Sequence, residues 1–204
     1  GTADTIELVA NMPDTSEGIT MVRMFANAPK LKTISAAFDT TKCVNMTGMF
    51  MNDISLTASP AIDTTNVTNM AHMFDGCTNL VYVQSELNFN GITEETSVDI
   101  FNHCFKLQML SIAPGSLTCD LDLSDTMLDK VCILNILKGL MKLPENVTKT
   151  ITFNDNQFNE QEYSEVERAI SKGWTIRGIV KDADVVYRTD FTNYMRLTYP
   201  NTFL

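Results

Sequence analysis

Five cysteines, two histidines and a short ladder of aspartates are the side chains of this sequence with the chemistry to hold a metal, attack a substrate or carry a proton. Cys43, Cys77, Cys104, Cys119 and Cys132 are odd in number, contain no C-x-x-C pair, and have only His72 and His103 to complete a ligand set. Neither a zinc site nor a disulfide framework follows from that spacing. No nucleophile stands with a base and an orienting group in a recognisable pattern, so the residues point away from an enzyme, and they imply no cofactor. Asp14, Asp39 and Asp63 form the more ordered arrangement. They fall at equivalent positions of a repeat, and stacked at roughly the 5 Å separation of neighbouring strands they could ligate calcium. An Asp before Thr-Thr or Thr-Ser can instead satisfy the backbone of its own turn, which leaves no metal role. Asn45-Met46-Thr47, Asn66-Val67-Thr68 and Asn146-Val147-Thr148 match the glycosylation sequon. The first two lie inside the repeat, where an asparagine serves a turn.

The elements that position these residues follow from internal similarity. Asp39-Thr-Thr-Lys-Cys-Val-Asn-Met-Thr-Gly-Met-Phe50 and Asp63-Thr-Thr-Asn-Val-Thr-Asn-Met-Ala-His-Met-Phe74 agree at seven of twelve positions without a gap. Asp14 and Phe25 keep the same distance upstream, and Ile100-Phe101 closes a worn fourth copy. Each phenylalanine is followed six residues later by Leu31, Leu56, Leu80 or Leu107. The phenylalanines are spaced by 25, 24 and 27 residues, the range of a leucine-rich repeat, in which a unit too small to bury its own apolar face does so against its neighbours. The Met, Phe and Leu columns are therefore expected in the core. Cys77 and Cys104 occupy the position held by Ala28 and Asp53 in other copies and are expected to be stacked, reduced thiols rather than a disulfide between turns. His72 shares a column with Arg23, Gly48 and Asp99, and His103 one with Asn27, Asn52 and Gly76. Columns so variable are expected at the surface, where a general base or metal ligand is a poor assignment.

From Leu121 the pattern changes while the pitch persists. Leu121-Asp-Leu123 reads as a strand. Leu128, Val131, Leu134, Leu137 and Leu140 then recur at helical spacing in a stretch opened by Ser124 or Asp125. Thr150–Phe153 reads as a second strand, Asn159-x-x-Glu162 as a capping box, and Tyr163, Val166 and Ile170 as an apolar stripe ended by Gly173. Trp174–Ile179 is the next strand. The expected fold class is an α/β leucine-rich-repeat solenoid with short strands stacked in a curved sheet. Irregular turns are expected in the N-terminal repeats and longer helices in the C-terminal ones. It spans residues 1–179 as Met-Phe repeats over 1–120 and strand-helix repeats over 121–179. Residues 180–204 fit no repeat but hold Tyr187, Phe191, Tyr194, Tyr199 and Phe203, as expected of a cap over the last open face or a tail that docks on a partner or a second copy.

The net charge of −10 is unevenly placed: residues 1–125 carry 15 acids against 5 Lys and Arg, and residues 126–204 carry 10 of each. An acidic surface repels phosphate backbones and anionic lipid, so nucleic acid is not an expected partner. No run approaches the roughly 18 apolar residues of a membrane helix, and no direct membrane insertion is expected. Gly1-Thr2-Ala3 opens without a leader, as after processing or engineering.

Residues 63–80, Asp-Thr-Thr-Asn-Val-Thr-Asn-Met-x-x-Met-Phe-x-Gly-Cys-Thr-Asn-Leu, closely resemble the repeat of BspA-type leucine-rich-repeat surface proteins of bacteria. The resemblance is strongest from Asp14 to Leu80 and weaker to Leu110; the units over 121–179 look like those that end such arrays. It implies a curved solenoid on an exported or cell-surface protein, associated with adhesion to host proteins or other cells. It carries no catalytic residue to transfer. Similar arrays occur in phage-borne proteins, so a structural or receptor-binding part of a phage particle is the alternative. On the expected fold a protein or glycan ligand would meet positions where the copies differ outside the core: Arg23, Lys30, Lys32, His72, Tyr82, Glu86 and Lys106. Tyr82 is the foremost anchor, because exposed aromatics on a regular scaffold are frequent hot spots.

Overall fold

The computed structural model describes residues 5–6, 19–34 and 39–182. In chain order its elements are β1 (Thr5–Ile6), β2 (Ile19–Thr20), β3 (Thr33–Ile34), β4 (Cys43–Asn45), β5 (Tyr82–Leu87), β6 (Met109–Ile112), β7 (Leu121–Leu123), α1 (Lys130–Gly139), β8 (Lys149–Phe158), α2 (Glu160–Ser171) and β9 (Trp174–Lys181). All strand pairing is parallel.

Through residue 112 the copies are joined by turn backbone more than by strands. The N–H of Phe25, Phe50 and Phe74 donates to the carbonyl of Met49, Met73 and Ile100 in the following copy, each at 2.9 Å. Met21, Met46 and Met70 do the same to Asn45, Asn69 and Thr96. Each copy thus presents whole turns to the next, and the buried backbone is satisfied between copies. The turns need left-handed residues at two fixed places. Arg23, Gly48, His72 and Asp99 have φ of 53°, 59°, 57° and 52°, and Asn27, Asn52, Gly76 and His103 have φ of 61°, 63°, 77° and 58°. Glycine stands once in each column, and asparagine twice in the second, because these residues enter that region at least cost. The two histidine columns are therefore backbone corners.

Inside the corners the rings of Phe25, Phe50, Phe74 and Phe101 stack with centroids 5.5, 5.2 and 5.8 Å apart and planes within 8°. Met46, Met49, Met70 and Met73 flank them, fully buried, with Leu56, Leu80 and Leu107 behind.

The strands do not form the leucine-rich-repeat solenoid sheet expected from the spacing. They fall into four separate small sheets, β1-β3, β2-β4, β5-β6 and β7-β8-β9, with two helices, and no continuous curved sheet runs along the described residues. The causes are local. The copy between β3 and β5 contributes only an isolated bridge, Ala58↔Tyr82, because Pro60 has no N–H to extend the ladder. The copy after β4 contributes only the bridge Asn45↔Asn69 before its turns begin. Beside β6, which pairs only with β5 among the described residues, packs the helix α1 rather than a further strand.

In the second region β7, β8 and β9 pair in register from Leu121↔Ile151 and Ile151↔Ile176. Helix α1 begins later than Ser124 or Asp125: Asp129 is its N-cap, its carboxylate accepting from the Cys132 N–H at 2.7 Å. Ser124 and Thr126 belong to a turn, bonded to Asp122 and Leu123. Ile133, Ile136 and Leu137 are the buried face of α1, so Val131 of the expected stripe points outward. Helix α2 carries the reciprocal capping box of Asn159 and Glu162 and is followed by Gly173 at φ 99°. Val166 is buried, whereas Ile170 is half exposed. Trp174 seals this end, its indole N–H donating to the Met141 carbonyl at 2.9 Å. Val180 and Lys181, placed with the tail on sequence grounds, close β9; residues 183–204 lie outside the described residues. No helix among the described residues is long and apolar enough to cross a membrane.

Candidate functional site

Strand β5 alternates outward Tyr82, Gln84 and Glu86 with buried Val83 and Leu87, and β6 sets Met109 and Ser111 beside them in the register Tyr82↔Met109 and Glu86↔Ser111. The Ser111 hydroxyl donates to the Glu86 carboxylate at 3.3 Å. Beside β6 packs α1, where a further strand would otherwise pair. Neighbouring strands lie about 4.8 Å apart, whereas a helix with its side chains is about 10–12 Å wide. The change from strand to helix therefore leaves a step. That step is a groove of about 680 Å³ lined by Met109, Ser111, Pro114, Val131, Asn135 and Lys138 among others, with Glu86 and Asp129 also at its wall. Asp129 N–H donates to the Gln108 carbonyl at 3.1 Å and Met127 N–H to the Leu107 carbonyl at 2.9 Å, which pins the helix approach to β6.

The groove exposes apolar side chains that would lower the free energy by leaving water, Met109 at 47% and Val131 at 65%, and Tyr82, 39% exposed, pairs with Met109 in the ladder. A tyrosine, a methionine and a valine beside a carboxylate, a carboxamide and an ammonium group make an adaptable apolar contact with polar groups at its edge, the composition of a recognition surface.

Of the residues singled out in the sequence, Tyr82 and Glu86 are brought together here. Lys32 lies in the backbone column just before them: Thr57 N–H donates to its carbonyl, Val81 N–H to that of Thr57, and Gln108 N–H to that of Val81. Lys106 is exposed nearby in sequence and donates to the Asn79 carboxamide at 2.6 Å; Lys30 is exposed in the corresponding turn of an earlier copy. Arg23 and His72 do not join them. Both sit in the left-handed corner column, with Arg23 lying over Gly48, where an added Cβ would stand 3.2 Å from Arg23 Cγ. His72 Nδ1 lies 3.2 Å from an oxygen of Asp75 and 3.7 Å from one of Asp99, and His103 Nδ1 lies 3.5 Å from Asp75. Met109 and the groove were not singled out in the sequence, and Val131 was read only as part of the apolar stripe of the helix. The signal was the strict three-residue spacing of that stripe, which drifts around a helix of about 3.6 residues per turn, and an apolar residue on the outward side of β6.

Asp39 and Asp63 border one shallow depression together with Thr40, Thr41 and Ser85. Each is engaged by its own turn: Asp39 accepts from the Thr41 N–H at 2.9 Å and its hydroxyl at 2.6 Å, and Asp63 from the Thr65 N–H at 2.8 Å. The Thr41 hydroxyl, then its N–H, holds the Asp39 carboxyl below the usual range. Asp14 lies outside the described residues. Among the described residues no group of three or more His, Cys, Asp or Glu is placed to hold a metal ion. Asn45 closes its own turn, accepting from both the N–H and the hydroxyl of Thr47. All five cysteines are free thiols. Burial pushes Cys104 up to about 12 and Cys119 up to about 11, and raises Cys77 further, so these thiols stay protonated and unreactive.

A family model described as "Mycoplasma protein of unknown function, DUF285" matches residues 3–110. This is a family of surface-protein repeats related to BspA-like proteins. No curated protein and no solved structure matches the chain.

Proposed function

We propose, from the premise that the chain belongs to the DUF285 family, that it is a non-enzymatic recognition module of a bacterial exported or cell-surface protein. It engages a protein or glycan ligand through the outer face of β5-β6 and the groove against α1. One observation carries this reading: the step from strand to helix leaves exposed Met109 and Val131 lining one groove, with exposed Tyr82 paired to Met109 in the ladder. Water-exposed methionine and tyrosine cost free energy that docking recovers, at about 25 cal/mol per Å² of apolar surface covered. The buried, protonated thiols and the histidines paired with aspartates on backbone corners support a role without covalent chemistry.

The test is an array of extracellular-matrix proteins, glycans and whole bacterial cells probed with the chain, with Tyr82→Ala and with the double variant Met109→Ser, Val131→Ser. All three positions are exposed, so the variants keep the fold. Binding by the parent that falls at least tenfold in both variants supports the surface. Parent binding unchanged in both removes it, and no parent binding to any class removes the adhesion role.

A further inference from the structure

The position three residues after each repeat phenylalanine holds Ala28, Asp53, Cys77 and Cys104. At the two thiols it performs one fixed task. Cys77 donates its S–H to the carbonyl of Phe50 at 3.0 Å, and Cys104 donates to that of Phe74 at 3.2 Å. The backbone N–H of the same position one copy earlier, Asp53 for Cys77 and Cys77 for Cys104, also acts on each thiol and holds it down against burial. The side chain here therefore meets both an N–H and a C=O of the preceding copy, a place suited to a group that is donor and acceptor at once. A thiol is both.

Asp53 occupies the same place, with none of its surface exposed. Its Oδ1 accepts from the Ala28 N–H at 2.8 Å, the acceptor half of the task. Its Oδ2 is buried without a hydrogen bond. In the register of the ladder, the donor half falls to that oxygen, and the Phe25 carbonyl holds the place that the Phe50 and Phe74 carbonyls hold for the two thiols. A carboxylate only accepts, whereas a carboxylic acid does both.

We propose that Asp53 is protonated in the native protein and that its Oδ2–H donates to the Phe25 carbonyl, making the joint between these two copies a pH-sensitive one. Burial, opposed by the Ala28 hydrogen bond, pushes the Asp53 carboxyl up to about 7. From the preceding copy the Ala28 N–H reaches it. The following copy presents the neutral Cys77 thiol, with Cys104 and the carboxylate of Asp75 acting on that thiol. No lysine or arginine among the described residues offsets a negative charge there.

The native state thus holds the proton more tightly than the unfolded chain, whose aspartate has the ordinary value of 3.8. The stabilisation is complete below about pH 4, is lost as pH rises toward about 7, and is then gone. Over that window it amounts to a tenfold change in the folding equilibrium per pH unit, up to about a thousandfold.

Asp53→Asn supplies an acceptor and a donor in the same shape without titrating. Urea unfolding of parent and variant, compared from pH 4 to 8.5, removes the contribution of the other acids by difference. The expected result is near-equal stability at pH 4 and a variant ahead by up to about a thousandfold in folding equilibrium at pH 8. Parallel profiles, or a variant weaker than the parent at pH 8, would overturn the proposal. Should Asp53→Asn fail to fold, the parent is read directly by infrared spectroscopy at pH 6: a protonated-carboxyl band that shifts on deuteration and disappears by pH 8.5 supports it, and no such band sinks it.

Discussion

The Met-Phe copies up to residue 112 and the strand-helix units from residue 121 solve the same problem by opposite means. In the first region alternate turn N–H groups of a copy are paired only when the next copy supplies carbonyls, and Phe50 and Phe74 each stack between the rings of the copies on either side. In the second, α1 and α2 satisfy their own backbone, each with its own N-cap, and the β8-β9 pair runs over most of both strands. Equal pitch therefore conceals unequal cooperativity. Order in the first region is a property of neighbours, and order in the second is largely local.

The largest effect that sharpens this contrast is at Phe50, fully buried between the rings of Phe25 and Phe74 at 5.5 and 5.2 Å. Phe50→Ala is expected to cost about 3–5 kcal/mol in urea unfolding, and hydrogen exchange should show protection lost in the copies on both sides. Loss confined to one copy would break the contrast. A smaller effect is expected at the α2 cap. Asn159→Ala removes the acceptor for the Glu162 N–H and half the capping box, at about 1 kcal/mol. Its exchange signature should stay within α2 and its contacts with β9. The smallest is Lys130→Ala, which deletes an exposed pair with Glu162 at 3.3 Å and should shift stability by about 0–1 kcal/mol, less at high salt.

Much of this was legible in the residues, for reasons that differ by element. The phenylalanine and leucine columns announced a core because apolar type and spacing agree. The Asn159 capping box and Gly173 were legible because a helix end makes demands on particular side chains. The corner columns were rightly read as surface from their variability, and Arg23, Asp99, Asn52 and His103 are exposed, but the reason for their residue types was missed. Gly48 and Gly76 beside Asn27 and Asn52 were the sign of a left-handed backbone, and His72 and His103 share that constraint. A continuous curved sheet was expected from the period alone, but period fixes the rise between copies and not which segment pairs. Pro60 and the turn-rich Met segments decide that, leaving isolated bridges where strands were expected. The groove was hidden for a related reason. It arises where a strand column is continued by a helix, a junction that neither repeat type displays by itself.

The binding face stands or falls on that junction. The most direct measurement is hydrogen exchange of the chain with and without the strongest binder from the array, resolved over residues 82–87, 107–112 and 127–139. The account predicts added protection in those three segments and none at the Arg23 and His72 corners. Protection at the corners with β5, β6 and α1 unchanged would contradict it and move the binding surface to the other side of the molecule.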